Sequence, residues 1–151
     1  DAGGRGRDTR PPTVMLTIHP MSLPEVRQDW TFIRNGLLEV IGRCKERYLP
    51  EDVWQAVMAA NAYIWRIETA HDEIGFLVLR RDYDADGPVL FIWCCWCKPG
   101  SLVKHSSDLM ERLKEVGHRI GAKRLRFEST RKAWSFLDVF EERSVIYERE
   151  L

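Results

Sequence analysis

The sequence predicts a mixed α/β domain, an α+β arrangement around one mixed sheet, and three observations carry that expectation. Apolar residues recur at helical spacing between Ser22 and Met58, at a period of two through three segments between Ala62 and Cys97, and in a helix-then-strand alternation beyond Asp108. With 151 residues and 44% hydrophobic content, the chain can bury one sizeable core and is too short for two ordinary domains. The expected division is a tail over residues 1–14 and a single domain over residues 15–151.

Each element follows from local chemistry. Residues 1–14, DAGGRGRDTRPPTV, are rich in Gly, Arg and Pro and lack periodicity, as a disordered tail or an appended remnant would be. Met15 to His19 alternates apolar and polar residues like a half-buried strand that Pro20 ends. Ser22, Pro24 and Glu25 form a capping box with Pro in the first turn, and Val26, Trp30, Ile33, Leu37, Val40, Ile41 and Cys44 make one stripe of a single long helix. Pro50, Glu51 and Asp52 open a second, shorter helix through Val53, Trp54, Val57 and Met58.

Three strands follow, Ala62 to Glu68, Glu73 to Arg81 and Pro88 to Cys97, joined by turn-forming residues at His71-Asp72 and Asp82 to Gly87. They predict an antiparallel meander whose last strand, apolar at almost every position, lies inside the sheet. A loop then precedes a helix that Asp108 and Glu111 cap, with a stripe of Leu109, Leu113, Val116 and Ile120 stopped by Gly121. Strand, helix and the next strand, Lys123 to Glu128, make a crossover and so a parallel pair. Ser129 or Thr130 caps a last helix with Ala133, Leu137 and Phe140, and Ser144 to Arg149 closes the domain as a strand.

Composition excludes several functions. Lysine plus arginine and aspartate plus glutamate both number 23, so no bulk positive field exists to hold a nucleic acid. No apolar run reaches the length of a membrane span, and no charged-then-apolar leader opens the chain. Cys94, Cys95 and Cys97 sit in one apolar run, which leaves Cys44 as the distant thiol and points to a reduced, cytoplasmic setting. Alternation puts Cys95 and Cys97 on one face and Cys94 on the other, and His105 and His118 are far apart along a helix, so no metal site is expected. Most of the six tryptophans fall on core stripes, with Trp96 and Trp134 the candidates for lining a cleft. The acidic turn from Asp82 to Asp86 lacks the glycine and terminal glutamate of a calcium loop and reads as a hairpin.

The order of elements resembles the GNAT (Gcn5-related N-acetyltransferase) superfamily over about nine tenths of the chain. The local resemblance lies in Pro99 after the apolar strand, the loop into an amphipathic helix, the passage from Gly121 to Glu128, the segment from Ser129 to Leu137, and the ending from Val145 to Leu151. Small diverged members of this kind are encoded by tailed bacteriophages. The resemblance implies a central sheet of about six or seven strands flanked by about four helices. It also implies acetyl-CoA or CoA as cofactor, its pantetheine beside the central strand and its pyrophosphate on amides of the following loop.

That cofactor site would comprise Trp96, Cys97, Val103, Lys104, His105 and Ser106. Aligned from Pro99, however, the two small positions of the family's loop are Lys104 and Ser106, and a lysine crowds a backbone that must approach phosphate closely. The family's helical tyrosine, which protonates the leaving thiolate, corresponds to Phe136 or Leu137. Tyr147 remains as a candidate acid, and Glu73 and Glu128 as candidate bases near strand ends. Three functions follow: a non-catalytic binding or assembly component with a degenerate site, in a phage particle or its host's cytoplasm; an active N-acetyltransferase; or a protein-binding module sharing only the layer order. The expected partner is a protein, in a homo- or hetero-oligomer, and neither nucleic acid nor membrane.

Overall fold

A computed structural model describes residues 15–128 and 147–150. The tail call on residues 1–14, the helix placed beyond Ser129, Trp134, Phe136, Leu137 and the first half of the closing strand lie outside the described residues. Five strands form one sheet: β1 (Thr17–Pro20), β2 (Tyr63–Glu68), β3 (Glu73–Asp84), β4 (Gly87–Cys97) and β5 (Arg124–Phe127), in that order across the sheet. The first four are antiparallel neighbours, and β4 and β5 are parallel. The mixed α/β class therefore holds, with five strands among the described residues where about six or seven were expected. Tyr147 to Glu150, placed in a closing strand, carries no strand pairing and leaves Tyr147 exposed.

Two apolar layers cover the sheet. On one face α1 (Leu23–Gln28), α2 (Trp30–Cys44) and α3 (Pro50–Met58) bury Val26, Ile33, Leu37, Val53 and Val57 against Ile64, Phe76, Val78 and Cys94. On the other face α4 (Ser101–Arg119) buries Leu109, Leu113 and Val116 against Leu77, Leu79, Leu90 and Ile92. The split follows the pleat, which sends successive β4 side chains to opposite sides.

The capping box is present: the Glu25 amide donates to Ser22 Oγ at 3.3 Å and the Ser22 amide to Glu25 Oε1 at 3.2 Å. The single helix expected from Ser22 to Cys44 is instead two. Asp29 ends α1 with backbone angles outside the helical range (φ −96°, ψ 11°), and its carboxylate accepts from Arg66 Nη2 at 2.7 Å. Local hydrogen bonding by a short acid competes with the helix, and here a tertiary ion pair fixes the outcome.

A second difference matters more. The helix expected from Asp108 begins at Ser101, with Gly100 as its N-cap in the left-handed region (φ 79°), so the link from β4 is only Lys98, Pro99 and Gly100. Asp108 is an interior residue of α4 and caps nothing.

Two glycines show how tightly the layers meet. A β-carbon on Gly75 would lie 2.0 Å from the Trp96 carbonyl oxygen and 2.8 Å from Cys97 Cα, both backbone atoms that cannot step aside. One on Gly42, exposed in α2, would meet nothing within 4 Å. Gly75→Ala should therefore destabilise the domain by about 3 kcal/mol through overpacking. Gly42→Ala should stabilise it by about 1 kcal/mol through helix propensity. Urea denaturation of both variants checks the pair, and equal effects would contradict the β3–β4 contact.

Candidate functional site

The site begins with a fault in β4. Val78 faces Cys94 while Leu79 faces Ile92, so Trp93 is an extra residue, a β-bulge. On its other side β4 pairs with β5 from Val89–Arg124 to Ile92–Phe127, and the ladder stops one residue before that bulge. The described part of β5 ends at Phe127, so the β4–β5 pairing is described only as far as Ile92.

The far end of the same strand pair is clamped. Asp84, at the tip of the β3–β4 hairpin, accepts from Arg124 Nη1 at 2.6 Å and Arg126 Nη2 at 2.8 Å. Arg124 and then Arg126 hold its carboxyl well below the usual carboxylate range. The β4–β5 pair is thus fastened at its hairpin end.

Beside Ile92 to Cys95 lies a narrow cleft, lined from both faces of the sheet. Ser106, Leu109 and Leu113 line it from α4, and Val40, Cys44 and Glu46 from the opposite layer, with Phe127 at its edge. At the mouth beside α2 lies a second pocket of about 550 Å3, counting open space, bounded by Glu46, Tyr48, Arg80, Phe91, Trp93 and Glu128.

Its polar groups are unevenly satisfied. Burial first, and then the nearby Glu128 carboxylate, raises the Glu46 pKa above the usual carboxylate range. The Tyr48 hydroxyl is buried beside the Cys94 thiol. Burial raises its pKa and pushes the neighbouring Cys94 thiol up to about 12. Arg80 supplies no counter-charge, because Asp82 takes its guanidinium at 2.8 and 3.3 Å and it lies over the Phe91 ring at 4.5 Å.

The residues singled out in sequence divide accordingly. Glu128 lies at both pockets and Ser106 at the cleft. Glu73 is held by Arg66 Nε at 3.3 Å, within an ion cluster that includes Asp29 and Glu25, and so is no free base. Trp96 turns toward α2, donating from Nε1 to Glu39 at 2.7 Å and stacking on Phe76, while Cys97 accepts the Cys95 thiol proton on the α4 side. That bond lowers the Cys97 pKa. Lys104 is exposed and His105 half-buried within α4, and of Val103 only the backbone is described. Tyr147 is 90% exposed and lines neither pocket. No group of three or more metal-ligating side chains converges among the described residues.

Sequence reasoning missed Glu46, Tyr48 and the bulge at Trp93. Glu46 and Tyr48 lie in an aperiodic link between α2 and α3, flanked by Lys45 and Arg47, where nothing marks burial. A bulge in a uniformly apolar strand leaves no break in the pattern.

No protein-family model matches the chain, and no curated protein matches it in sequence. Solved structures do. An aminoglycoside acetyltransferase from an uncultured soil metagenomic sample, in complex with trehalose, superposes with a TM-score of 0.64 at 14% identity, covering 91% of this chain and 97% of that one. A ribosomal-protein-alanine N-acetyltransferase from Brucella melitensis biovar Abortus 2308 gives 0.63 at 11%, covering 89% and 99%. A predicted acetyltransferase from Clostridium acetobutylicum, with acetyl-CoA, gives 0.62 at 9%, covering 91% and 96%. The chain has the GNAT fold.

Acetyl-CoA, the cofactor implied by the GNAT fold, meets a divided fit. The cleft lies beside the end of β4 where the family resemblance puts pantetheine. The segment to which the resemblance assigns the phosphates lies within α4. In an α-helix each amide donates to the carbonyl four residues earlier. With α4 starting at Ser101, the Lys104 and Ser106 amides are directed at Gly100 and Leu102, inside the helix. The remaining first-turn amides include Ser101, which already donates to the Lys98 carbonyl at 3.0 Å.

Glu46 yields a stability test. It binds its proton more tightly in the fold than in the unfolded chain, so that contribution is complete below the ordinary carboxylate value and is lost as pH rises through the raised one. Glu46→Gln should melt like the parent at about pH 4 and at a higher temperature at about pH 8. A lower melting temperature at the higher pH would contradict the account.

Proposed function

We propose that this GNAT-fold chain is a non-catalytic binding or assembly component that keeps the cleft of the fold without its phosphate grip. One observation carries the reading: α4 absorbs the segment that would wrap the pyrophosphate, so that the Lys104 and Ser106 amides serve the helix. Close backbone approach at a helix terminus is what holds such an anion, and a lysine side chain at one of the two small positions adds bulk there. The partner we propose is a protein, in a homo- or hetero-oligomer, and the balance of acids and bases supports it over a nucleic acid. A phage particle or its host's cytoplasm is the proposed setting, supported by the resemblance to small diverged members of that origin.

A second reading, an acetyl-CoA-dependent N-acetyltransferase, is favoured by one feature. Glu46, with its raised pKa, stands where the cleft opens beside the bulge and could accept a proton from an amine. A module sharing only the layer order is disfavoured by the cleft beside Ile92 to Cys95, lined from both faces of the sheet.

Isothermal titration separates the first two. With CoA and with acetyl-CoA at millimolar concentration we expect no heat of binding, whereas micromolar affinity for either would overturn the non-catalytic reading.

A further inference from the structure

Two thiols of β4 have a chemistry independent of that reading. Cys95 and Cys97 stand two residues apart beyond the bulge, so their side chains share one face of the sheet, and both pack against the apolar cluster that α4 covers. The Cys95 thiol donates to the Cys97 sulfur, which puts the two within hydrogen-bonding reach. In register on β3, Cys95 faces Leu77 and Cys97 faces Gly75, which has no side chain to fill the space beside it. Both cysteines are half-buried, and Cys95 lines the cleft together with Met110 of α4. Cys94 packs in the opposite layer.

Geometry decides what such a pair can do. With a rise of about 3.3–3.4 Å per residue, alternate Cα atoms of a strand lie about 6.7 Å apart. That is the upper edge of what a disulfide spans, and the ladder to β3, with its tight Gly75 contact, resists the contraction a disulfide needs. The two sulfurs therefore stay reduced side by side. Zinc wants four donors, and no group of three or more His, Cys, Asp or Glu side chains converges among the described residues. What remains is an ion that two sulfurs satisfy. Copper(I) is soft, prefers thiolate and thioether sulfur, and accepts two ligands in line. We propose that Cys95 and Cys97 form a two-thiolate site for a soft monovalent cation of the copper(I) class. Each thiol gives its proton to water as its sulfur binds, so one ion displaces two protons and the complex carries one negative charge, which the open cleft leaves in reach of solvent. No electron is transferred, and neither CoA nor an acyl group takes part.

The probe is copper(I) itself, supplied anaerobically to the reduced full chain with CoA absent, in competition with a chromophoric copper(I) chelator. We expect one ion per chain, sulfur-only coordination in the X-ray absorption spectrum and an affinity that rises with pH. Cys95→Ser and Cys97→Ser should each weaken binding at least about a hundredfold, the upper end of what losing even an outer-shell partner costs. Cys94→Ser should bind as the parent does, and excess zinc should leave the copper in place. Alkylation of the parent chain by iodoacetamide, located by fragment mass spectrometry, needs no variant: it should reach Cys97 in the metal-free protein and be blocked by one equivalent of copper(I). Three results would each overturn the proposal: no copper(I) retained against the chelator, undiminished affinity in a folded Cys95→Ser or Cys97→Ser variant, or equal alkylation of Cys97 with and without copper(I). None of them bears on the CoA titration.

Discussion

The way β4 is held by its neighbours is the constraint on which the rest of the molecule depends. Along one edge it pairs with β3 from Gly87 to Cys97, and Gly75 lets β3 approach so closely that no β-carbon fits. An extra residue at Trp93 turns the strand locally and interrupts that ladder. Along the other edge it pairs with β5 from Val89 to Ile92, and the Asp84 clamp on Arg124 and Arg126 fixes the hairpin end of that pair.

Around the cleft the two helical layers contribute unequally. The α4 side is apolar, with Leu109 and Leu113 toward the cleft. The side bounded by α2 and its link to α3 is more polar, with a carboxyl raised by burial and a buried phenol beside the Cys94 thiol.

Much of the fold was legible because periodicity reports burial. The Ser22 box, the Pro50 start, the three-strand meander and the crossover to β5 all come from short-range signals that tertiary packing did not override. The break at Asp29 was not legible, because its cause is Arg66, 37 residues away in sequence. The start of α4 was misplaced for a different reason. Lys98 to Ser107 contains Pro, Gly and three serines, which read as a loop, yet Pro99 and Gly100 sit before the helix and the serines fall within it. Family resemblance drew attention to Ser106, and its strand-end position to Glu128, but neither signal reaches Glu46 or Tyr48, which lie in a link with no periodicity. Glu73 illustrates the converse: a carboxylate at a strand end looked available until Arg66 was placed beside it.

The central claim is that β4 is paired on both sides from Val89 to Ile92 and interrupted by a bulge at Trp93. Site-resolved amide hydrogen exchange tests this directly. Along a strand, successive amides point to alternate neighbours. In Val89 to Ile92 every amide should therefore be protected, whereas the amide of the extra residue Trp93 should exchange faster than theirs. Protection at Trp93 equal to that of Ile92 would mean an unbroken ladder, and would contradict the bulge.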